Sequence, residues 1–338
     1  MAIFVPVLLY AQGVGENERL RLENIHLRQV NDSLRRQLRL LQEETIFGLW
    51  EGLTGLSPHK DAEYDYSGFG LTGEKMETDF MKKVLGTVPF FRLTYNDIFE
   101  KYIDLYTISR KKSMPFVLGR YNKYAARFKS VFRLYGVPED LVALCIVESA
   151  VSQKALSKAG AYGMWQLMPE TARRYGLVVD STVDQRLDIM LATDAAARLL
   201  RDLKRSLGSW ELALLAYNCG SGNVRKAIIK AQGSRSVWDI YDYLPAETRA
   251  YLPSYIGALY CEKYASEFKI EPRRYAPDVY ELYTLKGDRT LAEIARTVGV
   301  DESLLAEMNC QFLRGLVPAG MDVYLPKGKG SLLKENQF

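Results

Sequence analysis

Glu148 is the residue in this chain whose setting most favours chemistry. It directly follows an almost wholly apolar run, Leu141 to Val147. That run begins at Gly136-Val137-Pro138-Glu139-Asp140, a helix start with Pro near the first turn and acids at the positive end of the dipole. A carboxyl at the end of such a helix should be partly desolvated. Desolvation raises a Glu pKa and can keep the group protonated near neutral pH. A protonated Glu can donate to a glycosidic oxygen as that bond breaks. By base rate alone, a Glu at a helix end is more often a surface residue.

The remaining inventory narrows the options. The 338 residues include only two histidines, His26 and His59, and neither has a ligand-type cluster around it. Hydrolytic zinc sites use His, and Ser and Cys nucleophiles are usually activated by one. A zinc hydrolase, a Ser-His-Asp hydrolase and a Cys-His peptidase are therefore disfavoured, and neither metal nor cofactor is expected. Catalysis should run on carboxylates, hydroxyls and amides. Cys145, Cys219, Cys261 and Cys310 match no metal spacing. They read as buried free thiols, with disulfides open if the protein is exported.

The residues after Glu148-Ser149 form an ordered set. Ser157 comes first, then Gly160-Ala161-Tyr162-Gly163-Met164-Trp165-Gln166-Leu167-Met168-Pro169 with Thr171-Ala172. Ala216-Tyr217-Asn218-Cys219-Gly220-Ser221-Gly222-Asn223-Val224 follows, and later Leu244-Pro245-Ala246-Glu247-Thr248-Arg249-Ala250-Tyr251. Over roughly residues 121–265 this set resembles the lytic transglycosylases of bacterial cell walls, in the goose-lysozyme-like superfamily, and among them the membrane-bound D type most. The resemblance implies cleavage of the β-1,4 bond between N-acetylmuramic acid and N-acetylglucosamine of peptidoglycan, with 1,6-anhydro ring closure instead of water addition. It implies Glu148 as acid and then base.

Supporting roles carry over by motif. Ser157 would bond sugar or fix the Glu148 loop, and could also be a helix N-cap. Gly160 and Gly163 would let backbone approach the glycan, or form a turn. Gln166 would bond sugar or backbone. Met168 would pack beside the acetamido group or fill core. Tyr217 would bring its hydroxyl to Glu148, or be a satisfied core Tyr. Asn218 would hold the N-acetyl group as charge develops. Glu247 would line the groove and orient ligand or Arg249, or pair with Arg249 or Arg225. Cys219 stands where the family usually has Ala, and a bridge to Cys145 is conceivable. Two rivals stay open: a hydrolytic lysozyme on the same fold, which needs a second carboxylate, and a non-catalytic peptidoglycan-binding scaffold.

The elements that must position these residues are mainly helical. No strand-like alternation dominates between 76 and 265. Tyr121, Tyr124, Phe128 and Phe132 share one helical face, as core or as sugar-stacking surface. Asp184, Asp188 and Asp194, among Arg186, Arg198 and Arg201, read as a solvated face. After a polar linker the pattern becomes strand, helix, helix, strand. This tail resembles a LysM module, a glycan-binding domain: Tyr283 to Ala295 matches its opening, with Leu285 for the usual Val and Arg289 in the usual Asp place. Its removal is expected to weaken wall binding and spare cleavage of short glycans.

At the other end, residues 2–10 are uninterrupted apolar and read as a signal segment without a basic start. Leu20, Leu27, Leu34 and Leu41, with Asn17, Asn24 and Asn31, set a heptad pattern. The expected organisation is a signal at 1–12, a coiled-coil-like helix at 16–47 and a helical region at 60–120. A lysozyme-like helical domain at 121–268, a linker at 269–279 and a small βααβ LysM-like domain at 280–327 complete it. A homodimer through 16–46 and a helix folded back on the body are both open. Net charge is +4, too weak to argue for nucleic acid. Peptidoglycan strands are the expected partner, in the periplasm, at the wall or outer membrane.

Overall fold

The computed structural model describes residues 74–276 and 279–335. The expected signal segment, the heptad helix and the pairing through 16–46 lie outside them. All described residues belong to one compact unit, His59–Phe338.

Helices fill the first stretch: α1 Glu74–Gly86, α2 Ile98–Asp104 and α3 Met114–Leu134. A 3₁₀ segment, Glu139–Ala143, runs into the short α4, Leu144–Ser149. Next come α5 Pro169–Arg174, α6 Ile189–Leu207, α7 Trp210–Cys219, α8 Ser221–Lys230, α9 Val237–Ile240 and α10 Ala246–Tyr264. The aromatic stripe of α3 is mostly core. Tyr121, Phe128 and Phe132 are buried. Trp165 packs between Phe128 and Phe132, at 5.5 and 5.3 Å between ring centroids, and its Nε1 donates to Thr193 Oγ1 at 2.8 Å. Aromatic pairs of this kind add about 0.5–1.5 kcal/mol beyond area burial, and the satisfied indole N–H lets the Trp bury without an orphan donor. This cluster anchors the loop after Glu148 to two long helices.

The segment before α3 backs α10. Gly257 of α10 lies against α2 so closely that a Cβ there would meet Tyr102 O at 2.4 Å. Tyr106 Oη and Ser254 Oγ, 2.9 Å apart, join the same two layers. Residues 74–109 thus fix the helix that carries Thr248 and Tyr251.

The C-terminal part has β1 Tyr280–Thr284 antiparallel to β4 Asp322–Pro326. A second short ladder pairs β2 Arg289–Thr290 with β3 Leu316–Val317. Between them lie α11 Leu291–Val298 and α12 Glu302–Met308, and α13 Gly330–Glu335 follows. α11 starts with a full capping box, Thr290 and Glu293 exchanging side-chain and backbone bonds. The strand-helix-helix-strand order matches the sequence pattern; the second ladder and α13 are additions. The stretch expected as a linker is held: Ile270 is buried, and Arg273 N–H donates to Pro115 O at 2.8 Å.

One expectation fails clearly. Asp184, Arg186 and Asp188 are not a solvated face: they are 4%, 7% and 4% exposed. The C-terminal part bonds the backbone of Asp184 and the side chain of Asp188, Tyr324 Oη donating to Asp188 Oδ1 at 3.0 Å, while Arg186 turns to the loop at 160–167. Asp194 is partly open and pairs with Arg198 at 2.7 Å. A surface-like charge pattern is buried because each charge has a fixed partner.

Candidate active site

α4 ends at the carboxylate. Its Leu144, Cys145, Ile146 and Ser149 are buried. Ala150 (φ 49°) and Val151 (φ 61°) then turn left-handed. Two consecutive non-glycine residues in that region cost about 1–2 kcal/mol each. Ala150 N–H donating to Ile146 O (3.0 Å) and Val151 N–H to Cys145 O (2.9 Å) hold the turn. Arg120 Nη2 donates to Ala150 O at 2.8 Å. Ser149 Oγ donates to Met164 O at 2.9 Å, tying α4 to the following loop.

Burial pushes the Glu148 carboxyl up to about 7. The Tyr251 hydroxyl donates to Glu148 Oε1 and pulls the other way, while the charge of Glu247 adds to the rise. Burial holds both Tyr217 and Tyr251 well above the ordinary phenol range, so both stay donors. Tyr217 is not the hydroxyl partner of Glu148. Its Oη donates to Trp165 O at 2.7 Å. Tyr217, in the last turn of α7, stays close enough for the Glu148 charge to act on it but spends its proton on the loop, the satisfied-hydroxyl alternative, whereas Tyr251 reaches the carboxylate from α10. The available signal was Thr248, Tyr251 and Tyr255, three and four apart on one face of α10.

Tyr251→Phe removes a bond that favours the charged carboxylate. The alkaline limb of kcat/KM, set by Glu148, should therefore move upward by ~1 pH unit, because hydrogen bonds to charged groups are worth roughly 1.5–3 kcal/mol. A pH–rate profile with an unmoved limb would separate the phenol from the reacting proton.

Asn218 is oriented from α10. Thr248 Oγ1, buried, donates to Asn218 Oδ1 at 2.7 Å. The amide oxygen is thereby committed, and Nδ2 is the end available to an acceptor such as an N-acetyl carbonyl. Glu247 is exposed and makes no ion pair with Arg249 or Arg225 among the described residues; Arg225 instead bonds Ser206.

The loop residues sort differently from their expected roles. Ser157 Oγ accepts from Ala161 N–H at 2.9 Å and so closes a turn; no helix starts there. Gln166 spends both amide protons on backbone, at Ala155 O and Gly163 O, each 2.8 Å. Gly163 (φ 82°) approaches protein: a Cβ would lie 2.1 Å from Arg186 O. Gly160 (φ 89°) has open space at that position. Met168 is 42% exposed, so it does not fill core. All four cysteines are free, so Cys145 and Cys219 form no bridge.

A mainly helical body around a carboxylate raised by burial and touched by a phenol, with a small two-ladder tail, defines the class. The family model described as transglycosylase SLT domain matches residues 130–239. Over 176 residues it is 36% identical to membrane-bound lytic murein transglycosylase D of Escherichia coli (strain K12), covering 51% of this chain and 36% of that protein. The chain thus spans about a third of the length of the curated relatives it matches. Among solved structures, the 70 kDa soluble lytic transglycosylase of Escherichia coli aligns with TM-score 0.35 and 25% identity, over 43% of this chain and 26% of that one. A lytic transglycosylase Slt of Pseudomonas aeruginosa aligns with TM-score 0.36 and 25% identity, over 45% and 26%.

Proposed function

We propose that this chain is a peptidoglycan lytic transglycosylase that cleaves between N-acetylmuramic acid and N-acetylglucosamine and leaves a 1,6-anhydro end. The observation that carries this reading is the state of Glu148, a carboxyl poised near pH 7 by burial and touched by a phenol that favours its ionised form. Such a group can give a proton and then take one. Glu148 first protonates the leaving glycosidic oxygen as positive charge grows at C1 of the muramoyl sugar. In this reading the Asn218 amide, its oxygen held by Thr248, donates to the N-acetyl oxygen. The muramoyl C6 hydroxyl then attacks C1, and the Glu148 carboxylate, stabilised by Tyr251, removes its proton. Bonds and protons balance without water. Met168 supplies an apolar surface for the acetamido methyl.

Glu247 favours a second reading. Its charge reaches Glu148, and a hydrolase needs a second carboxylate to activate water. Mass spectrometry of digested peptidoglycan decides between them. Products lighter than hydrolytic ones by one water are expected. Reducing-end products would make Glu247 the base of a lysozyme-type site, and no products from a folded preparation would favour the binding scaffold.

We also read the tail as glycan-binding and the location as the periplasmic face of the envelope. The rings of Tyr124, Tyr280 and Tyr324 line a cavity of about 180 Å³ between α3 and the tail, and aromatic faces suit pyranose rings. None of the described helices is long and apolar enough to cross a membrane. Pairing of two copies through 16–46 rests on the heptad spacing.

A further inference from the structure

Residues 178–188 are gripped from two sides. On one side stands the C-terminal part. Val183 pairs with Phe312 in a β-bridge and buries its side chain in that part's own apolar core, with Leu285, Ile294 and Val317. Asp184 N–H donates to Gln311 O at 2.8 Å, and Leu313 N–H to Thr182 O at 2.9 Å. Tyr324 closes on Asp188, the N-cap of α6. An apolar side chain inserted into the tail's core, flanked by backbone bonds, is a shared core and not a tether.

On the other side stands the loop behind Glu148. Asp184 grips Arg186 with both oxygens, from Nε at 2.9 Å and Nη2 at 2.6 Å. The remaining arm, Nη1, donates to Gly160 O at 2.7 Å and Leu167 O at 3.1 Å, the two ends of the loop. Gln153 Nε2 donates to Leu187 O at 2.8 Å, and Gly163 lies directly on Arg186 O. Between those ends, Met164 O receives Ser149 and Trp165 O receives Tyr217. The loop in turn holds the residue next to Glu148 and the phenol beside it.

We propose that the C-terminal part is a positioning element of the cleavage site, acting through Arg186 as the positioning residue; this rests on the transglycosylase reading above. The chemistry requires Arg. A planar fork serves one carboxylate with two parallel bonds and still reaches two carbonyls, which an ammonium cannot do. The pair also requires cover, since a hydrated guanidinium and carboxylate hold their geometry weakly. The Tyr162 ring lies over the guanidinium, and the tail fixes the backbone that carries the carboxylate, through Val183 and the Asp184–Gln311 bond, so its loss should loosen the loop and lower cleavage of short glycans as well as wall binding.

Two variants of the full chain test this: Arg186→Lys at the loop and Val183→Ala at the shared core. Arg186→Lys should lower kcat ~10-fold, the scale of a small misplacement of the reacting groups, with KM nearly unchanged. The alkaline limb should move down in pH as water reaches Glu148. Val183→Ala should speed deuterium exchange of amides 160–167 several-fold, with kcat falling in step. Faster exchange confined to 279–333, with 160–167 at wild-type rates, would overturn the proposal. So would an unchanged kcat and limb in Arg186→Lys. Wild-type protein inactive on peptidoglycan would instead defeat the transglycosylase reading, and the exchange data would still decide whether the tail holds the loop.

Discussion

Glu148→Gln is expected to lower the glycan-cleavage rate by about 10²–10⁴-fold, the usual contribution of a positioned acid and base. The amide keeps the size of the side chain, and its oxygen can still accept from Tyr251, so the fold should persist. Stability should change with a definite sign. The folded carboxyl titrates near 7, above its ordinary 4.5. The native state therefore binds more protons than the unfolded chain between those values. The wild type is best placed below pH 4.5 and loses stability as pH rises through 7, by about 2 kcal/mol once partial exposure of the group is discounted. The variant has no such proton. Thermal unfolding from pH 4.5 to 8 should show Glu148→Gln gaining Tm relative to wild type as pH rises. A constant difference between the two proteins would contradict the burial on which the mechanism depends.

Gly163→Ala should be the most damaging substitution in the loop for stability, with a loss of ~3 kcal/mol or more. Two independent costs add. The backbone is left-handed (φ 82°), and the new Cβ would lie 2.1 Å from the Arg186 carbonyl. That oxygen is backbone in residues 178–188, the strap held by the Asp184–Gln311 bond, so it cannot step aside as a flexible side-chain end would. Gly160→Ala shares the first cost (φ 89°) and has open space for the second, which predicts a loss of only ~1–2 kcal/mol. Urea unfolding of both variants measures the difference. Equal losses would mean that the strap yields at Arg186, and that the contact between strap and loop is soft.

The two glycines also show where sequence reasoning runs out. Both sit in the same motif, and both were expected to let backbone approach ligand. Nothing local separates them. Only the fold sets the Arg186 carbonyl at the Cβ position of one and leaves that position open at the other.

What the sequence determined by itself is short-range. The apolar run before Glu148 makes a buried helix, because the pattern and the start signal lie within a dozen consecutive residues. The α3 stripe, the helix starts and the alternation of strand and helix in the tail are legible for the same reason: propensity, capping and periodicity act between neighbours. The choice of Glu148 as the candidate acid rests on the ordered motifs that follow it and the family they resemble, since by base rate alone a Glu at a helix end is a surface residue.

What the tertiary structure decided is which distant groups meet. Tyr217 lies in a quoted motif and Tyr251 in another, and no spacing says which phenol reaches Glu148; the packing of α10 on α2 does. Asp184, Arg186 and Asp188 look like surface charges in sequence, because an ion pair reads the same wet or dry. They are buried between the loop at 160–167 and a tail more than a hundred residues later. Burial of a charge is a property of everything that excludes water from it, and that is a sum over the whole fold.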